Sequence, residues 1–324
     1  MLGRDVSPVE IADIFAAEQR LRKVFPPSPL LNMEFLNQQL GAQVWLKAEN
    51  LLPSGAYKYR GAMNKITSLI ERYGKELRIV TASSGNHGMA CALAARNLGV
   101  QANGVVRVST PQSKKDSIRA LGANLVEVGA TYDESFVSAC ELAEKEHLYY
   151  VHPTSDRYTV GGQGTISLEI LDQCPQVEQI VVPIGGGGLI TGIALTMKTL
   201  KPSVKIYGVM PAGSAVYVES RRQGQLVTLD HCSSMADAVV RKTGEEYLYP
   251  YIEKYVDDIF TVTEDSIRQA VRTACLYGKL TLEGSGALAL AALLEKKCPL
   301  SPGTVLICSG GNIDKAVLDL CMQA

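Results

Sequence analysis

From Arg78 to His152 the sequence alternates strand-like and helix-like segments, and this alternation restricts the possible folds more than any other feature. The apolar stretches Arg78 to Ala82, Ala102 to Val106, Asn124 to Val128 and Tyr149 to His152 read as strands. Helical spacing occupies the intervals Asn86 to Leu98, Gln112 to Leu121 and Tyr132 to His147. Strands joined through helices of that length form a parallel sheet covered on both faces, so the fold class is α/β. Residues 75–148 match the size of a small domain.

The alternation continues less regularly. Helices are expected over Val160 to Leu171, Leu189 to Leu200, Asp265 to Leu276 and Ser285 to Glu295, and from Ile313; strands over Ile180 to Pro183, Lys205 to Val209 and Val305 to Cys308. At the N-terminal end, helical spacing from Ser7 to Lys23 is stopped by Pro26-Pro27-Ser28-Pro29, and Val44-Trp45-Leu46 reads as a strand. Residues 1–74 and 149–324 are therefore assigned to a larger domain. The active site is expected in the cleft between the domains, at the C-terminal ends of parallel strands.

A chain of 324 residues, 46% hydrophobic, can bury a large core, and a formal charge of -1 without basic or acidic blocks points away from nucleic acid and anionic membranes. No apolar run is long enough to cross a bilayer, and the start resembles a charged helix rather than a signal peptide, so a cytoplasmic address is expected. Eight scattered cysteines contain no Cys-x-x-Cys pair and the four histidines lack helical ligand spacing, so no metal site is expected. The remaining partner class is a small molecule.

Four stretches carry candidate chemistry, each at or near a strand end. Lys58, in Ser54-Gly55-Ala56-Tyr57-Lys58-Tyr59-Arg60-Gly61-Ala62, lies near the start of a helix expected from Gly61 to Tyr73. Most lysines are solvated charges, but a lysine among small residues and an aromatic can act as an amine nucleophile or base. Gly185 to Gly188, followed by Leu189, lies between a strand and a helix, and four glycines in a row exceed what a turn needs. Successive backbone N–H groups at a helix N-terminus can cradle a phosphate. Ser83-Ser84-Gly85-Asn86-His87-Gly88 suits a carboxylate or a cofactor oxygen, though it also reads as a helix cap. Cys308-Ser309-Gly310-Gly311-Asn312 contributes a hydroxyl at a further strand end. A lysine, a phosphate cradle, a carboxylate loop and a lone hydroxyl together imply a phosphorylated aldehyde cofactor with an amino-acid substrate.

With these four stretches, and with Gly162-Gln163-Gly164-Thr165 and Glu283-Gly284-Ser285-Gly286-Ala287, the chain resembles the serine/threonine dehydratase and serine racemase family of fold-type II pyridoxal-phosphate enzymes. The match runs in order from about residue 20 to the end. The resemblance implies two parallel-sheet domains like those of the tryptophan synthase β chain, pyridoxal 5'-phosphate as cofactor, and a homodimer. It implies a Schiff base at Lys58, with Tyr57 beside it where the family usually has phenylalanine. Asn86 would bond the cofactor's phenolic oxygen, Gly185 to Gly188 with Leu189 would hold the phosphate, Ser309 would meet the pyridine nitrogen, and Glu283 would lie near the ring or leaving group. Ser83, Ser84, Gly85 and His87 would surround the substrate carboxylate.

The implied activity is β-elimination from L-serine or L-threonine to a 2-oxo acid and ammonia, with Lys58 taking the Cα proton. Two alternatives stand beside it: racemisation, with Ser84 as proton donor opposite Lys58, and a cofactor-binding protein without turnover. Racemase relatives carry acids of a divalent cation site where this sequence has Met210 and Val216, and the family's Ala-Asp-Gly reads Ala236-Asp237-Ala238. The sequence stops at Ala324, so inhibition through an appended effector domain is not expected.

Overall fold

The computed structural model describes residues 3–323. It contains ten strands: β1 Leu30–Leu31, β2 Val44–Lys47, β3 Arg78–Ala82, β4 Gln101–Val106, β5 Asn124–Glu127, β6 Tyr149–Tyr150, β7 Gln179–Pro183, β8 Lys205–Pro211, β9 Asp258–Val262 and β10 Thr304–Ile307. Contacts divide the chain into two units. The first comprises the segment ending at Phe25 together with Lys58–Gln163, and the second comprises Pro26–Tyr57 and everything from Gly164 onward. Residues 75–148, expected as the small domain, lie wholly in the first unit, which also takes in 58–74 and 149–163. The Tyr57–Lys58 peptide is thus a point where the chain passes from one unit to the other.

The first unit is built on a parallel four-stranded sheet ordered β5-β4-β3-β6. Apolar residues occupy both faces of β3 because helices flank them, and Val80, Ala82, Val105, Ala139, Ala143, Leu148 and Tyr150 form one buried cluster. Local chemistry sets the helix ends. Thr131 caps the helix Tyr132–Lys145 by accepting the Glu134 N–H, and Gly99 ends Asn86–Leu98 in the left-handed conformation at φ 73°.

The second unit contains a six-stranded sheet ordered β1-β2-β10-β7-β8-β9, parallel except for β1. Strand β10 runs between β2 and β7, with Ile307 opposite Lys47 and Leu306 opposite Val181. The C-terminal ends of three neighbouring strands therefore lead into Glu49–Leu51, Ser309–Asn312 and Gly185–Gly188. Leu46, Val181, Val209 and Leu306 pack with Ala270, Ala274 and Leu288 in its core. Strand β9 and the helices Glu34–Leu40, Val216–Gln223 and Tyr249–Tyr255 have no counterpart among the expected elements. No helix among the described residues is long and apolar enough to cross a membrane.

Candidate active site

In the second unit β7 ends at Pro183 and the helix Gly188–Leu200 begins five residues later. Gly187 caps that helix at φ 93°, a conformation that strains any residue with a Cβ. Space excludes one as well, since a Cβ there would lie 2.8 Å from Ile252 Cδ1 and 3.0 Å from Tyr217 Oη. At Gly185 it would lie 2.9 Å from Val239 Cα. The Tyr217 hydroxyl donates to the Gly186 carbonyl at 3.0 Å and accepts the Glu245 N–H at 2.9 Å, which fixes the loop from outside. Leu189 is buried at the first turn. A helix N-terminus approached only by glycines provides backbone donors and positive potential without side chains in the way, and this arrangement fits a phosphate group.

Beside it, three stretches of the same unit are laced together. The Tyr57 N–H donates to the Ser309 carbonyl at 3.0 Å, and the Glu283 N–H to the Gly310 carbonyl at 3.1 Å. The Gly311 N–H donates to the Gly55 carbonyl at 2.9 Å, and Asn312 Nδ2 to the Ser54 carbonyl at 2.9 Å. Ser309 Oγ donates to the Ser285 carbonyl at 3.4 Å, and Ser285 Oγ is buried without a hydrogen-bond partner. A buried hydroxyl left over in this way is a polar group awaiting a ligand atom or water. Burial raises the Tyr57 phenol above its ordinary range, with the charge of Arg241 opposing and that of Glu283 reinforcing. Glu283 itself is 7% exposed, so it is not the surface carboxylate its residue type would suggest.

In the first unit Lys58 is the first residue of the helix Lys58–Tyr73, and its Nζ donates to the Pro153 carbonyl at 2.7 Å. Strand β3 ends at Ala82, Ser83 to Gly85 form the turn, and Asn86 opens the helix Asn86–Leu98 with Gly85 as its cap. Gly88 packs so closely under the Ser83 carbonyl that no Cβ would fit. Ser83, Ser84, Gly85 and Asn86 are half-buried, whereas the His87 ring is 3% exposed. His87 Nε2 donates to the Val151 carbonyl at 3.0 Å, so this ring is engaged in the fold. Its backbone N–H, in the first helical turn, is the part of His87 suited to an anion. Cys91 Sγ lies 3.4 Å from His87 Nε2, and burial pushes its thiol up despite the pull of the Lys58 charge.

Sequence reasoning missed Tyr217, Ser285, Arg241 and the Pro153 carbonyl. Only the Glu283-Gly284-Ser285-Gly286 stretch carried a signal, in its glycines. The Gly162 of the motif ending at Thr165 sits where a Cβ would be 2.7 Å from the Arg60 carbonyl, so its role is close packing against the Lys58 helix.

The family model described as pyridoxal-phosphate dependent enzyme matches residues 21–310. The chain belongs to that family. It is a pyridoxal-phosphate enzyme of fold type II, and the glycine cradle and the buried hydroxyls fit the cofactor's phosphate and ring. Among its relatives, an L-threonine ammonia-lyase of Thermotoga maritima is 36% identical over 96% of this chain and 77% of its own. A serine racemase of Rattus norvegicus is 38% identical over 98% of this chain and 97% of its own. The solved structure of maize serine racemase superposes with a TM-score of 0.90 at 32% identity, covering 98% of both chains. The processed form of threonine deaminase isoform 2 from Solanum lycopersicum gives 0.90 at 33% identity, covering 100% of this chain and 91% of its own.

Proposed function

We propose that the protein is an ammonia-lyase that converts L-serine or L-threonine to the corresponding 2-oxo acid and ammonia. The observation that carries this reading is Ser309, a neutral hydroxyl at the end of β10, fastened through its backbone to Tyr57 and through its side chain to Ser285. A hydroxyl beside the pyridine nitrogen does not enforce its protonation as a carboxylate would, and that favours expulsion of a β-substituent. When bound, the cofactor supplies an electron sink for charge developing at the substrate Cα, which no side chain provides.

The remaining work belongs to the chain's own residues. Gly185 to Gly188 and Leu189 would hold the phosphate, Asn86 would donate to the phenolic oxygen, and Tyr57 and Glu283 would lie near the ring. Lys58 would be the residue that holds the cofactor, and its amine is the base placed to take the substrate's Cα proton. Ser83, Ser84, Gly85 and the His87 backbone hold the substrate carboxylate at the helix N-terminus. Ser84, half-buried in that turn, supports a second reading, racemisation with Ser84 returning a proton on the opposite face. The protein is further proposed to be cytoplasmic and a homodimer; light scattering of the purified protein would check the homodimer.

Incubation with both enantiomers of serine and threonine, following 2-oxo acid and substrate enantiomer together, tests the proposal. Accumulating 2-oxo acid with little inversion supports the lyase. Inversion outpacing 2-oxo acid would make the protein a racemase, and neither product would leave a binding protein.

A further inference from the structure

The turn that receives the Lys58 amine is held by more hydrogen bonds than its length requires. Val151 to Asp156 are all buried, with Val151, Ser155 and Asp156 at 0% exposure. The Val151 carbonyl accepts from Thr81 Oγ1 at 2.9 Å and from His87 Nε2 at 3.0 Å, while its N–H donates to the Val80 carbonyl at 2.9 Å. At the other end Asp156 pairs with Lys65 at 2.7 Å and accepts the N–H groups of Asp5, Tyr158 and Thr159. Between these anchors stands His152. Its Nδ1 accepts the Thr154 N–H at 3.2 Å and the Ser155 N–H at 2.9 Å, and its carbonyl accepts Thr159 Oγ1 at 3.1 Å.

Two backbone donors on Nδ1 require that nitrogen to be the unprotonated one, so the ring acts as a fixed acceptor in the manner of an asparagine turn. That acceptor bends the chain immediately after β6 and directs the Pro153 carbonyl at Lys58 Nζ, 2.7 Å away. We infer that His152 is a positioning residue for Lys58: it folds the Pro153 turn whose carbonyl orients the lysine amine. The inference rests on Lys58 being the cofactor lysine proposed above. Pro153 has no N–H of its own and a restricted φ, which stiffens the turn at the residue whose carbonyl is used.

The test compares full-length His152→Asn, His152→Gln and His152→Ala. Asparagine places its amide oxygen near the Nδ1 position, whereas glutamine places its amide further out and alanine provides no acceptor. Each variant is stripped of cofactor, checked for native near-ultraviolet circular dichroism, and mixed with pyridoxal phosphate while absorbance reports recombination. A misplaced amine reacts more slowly, so glutamine or alanine, whichever is folded, is expected to recombine on the order of tenfold more slowly than the parent. Asparagine is expected to stay within about threefold of the parent, because it keeps the acceptor. With substrate, the folded impaired variants should lose kcat rather than gain KM. A folded glutamine or alanine variant recombining at the parental rate would overturn the inference, as would asparagine slowed as much as the others. Lys58→Ala run alongside separates the two failures: if it recombined like the parent, the lysine assignment itself would fall.

Discussion

The Tyr217 hydroxyl lies 3.0 Å from where a Cβ on Gly187 would stand, and the same hydroxyl donates to the Gly186 carbonyl at 3.0 Å. The buried tyrosine both shapes the loop and reserves its third position for glycine. Gly187→Ala would combine this clash with an unfavourable φ, a cost of about 1–3 kcal/mol. Cofactor affinity, read by titration, should fall by about tenfold or more at the upper part of that range. Tyr217→Phe removes the donor to the Gly186 carbonyl and the hydroxyl that accepts the Glu245 N–H, so it should destabilise by about 1 kcal/mol and weaken cofactor binding less than Gly187→Ala.

Lys47 and Glu169 form an ion pair with side-chain exposures of 0% and 5%, and Lys47 Nζ also donates to the Ser28 carbonyl and to Gln173 Oε1. Glu169→Gln would take a carboxylate away from a buried ammonium, at a cost of about 3 kcal/mol in urea unfolding. Replacing both members by apolar residues of similar volume should cost less than the single change.

Cys298 and Cys308 are thiols whose pKa burial pushes up to about 11 and about 12, with the charge of Glu49 adding to the rise at Cys308. A raised folded-state pKa on a thiol means that the unfolded chain loses its proton first as pH rises. The contribution to stability is therefore intact below about pH 9 and declines through the folded pKa, by about 1 kcal/mol per pH unit for each thiol. Urea midpoints measured under reductant should drop between pH 8 and pH 10, and Cys308→Ala should flatten the drop. A steeper drop in the variant would contradict the assignment.

Met210 and Val216, where the family resemblance would put acids of a divalent cation site, are both 0% exposed and apolar, and divalent hard cations bind through oxygen ligands. Turnover is expected to be unchanged after treatment with a chelator. A sharp loss, restored by magnesium or calcium, would show that other residues supply the ligands.

Much of the fold was legible because buried strands have to be apolar. Strands β7 and β10 are buried at every residue, so their sequences mark them directly. Strand β9 escaped because it lies at the sheet edge with a mixed burial pattern and a polar start. The strand expected from Tyr149 to His152 stops at Tyr150, since the His152 ring turns the chain there. Helix Arg157–Gln173 begins ahead of the expected Val160 because Asp156 accepts the first-turn N–H groups, a cap that could have been read. The helix expected from Ser285 shrinks to Leu288–Leu294, with residues 284–287 forming a turn in which the Ala287 N–H donates to the Glu283 carbonyl at 3.0 Å. Within the site, glycines and Lys58 stood out by type and spacing. The Pro153 carbonyl could not, since every residue has one and only the folded turn selects it.

Lys58 as the cofactor lysine is the assignment on which the proposed chemistry turns. Borohydride reduction of the holoprotein followed by peptide mass mapping should place the reduced cofactor on the peptide containing Lys58. Label on Lys47, Lys65 or any other lysine, with Lys58 unmodified, would rule Lys58 out as the cofactor lysine.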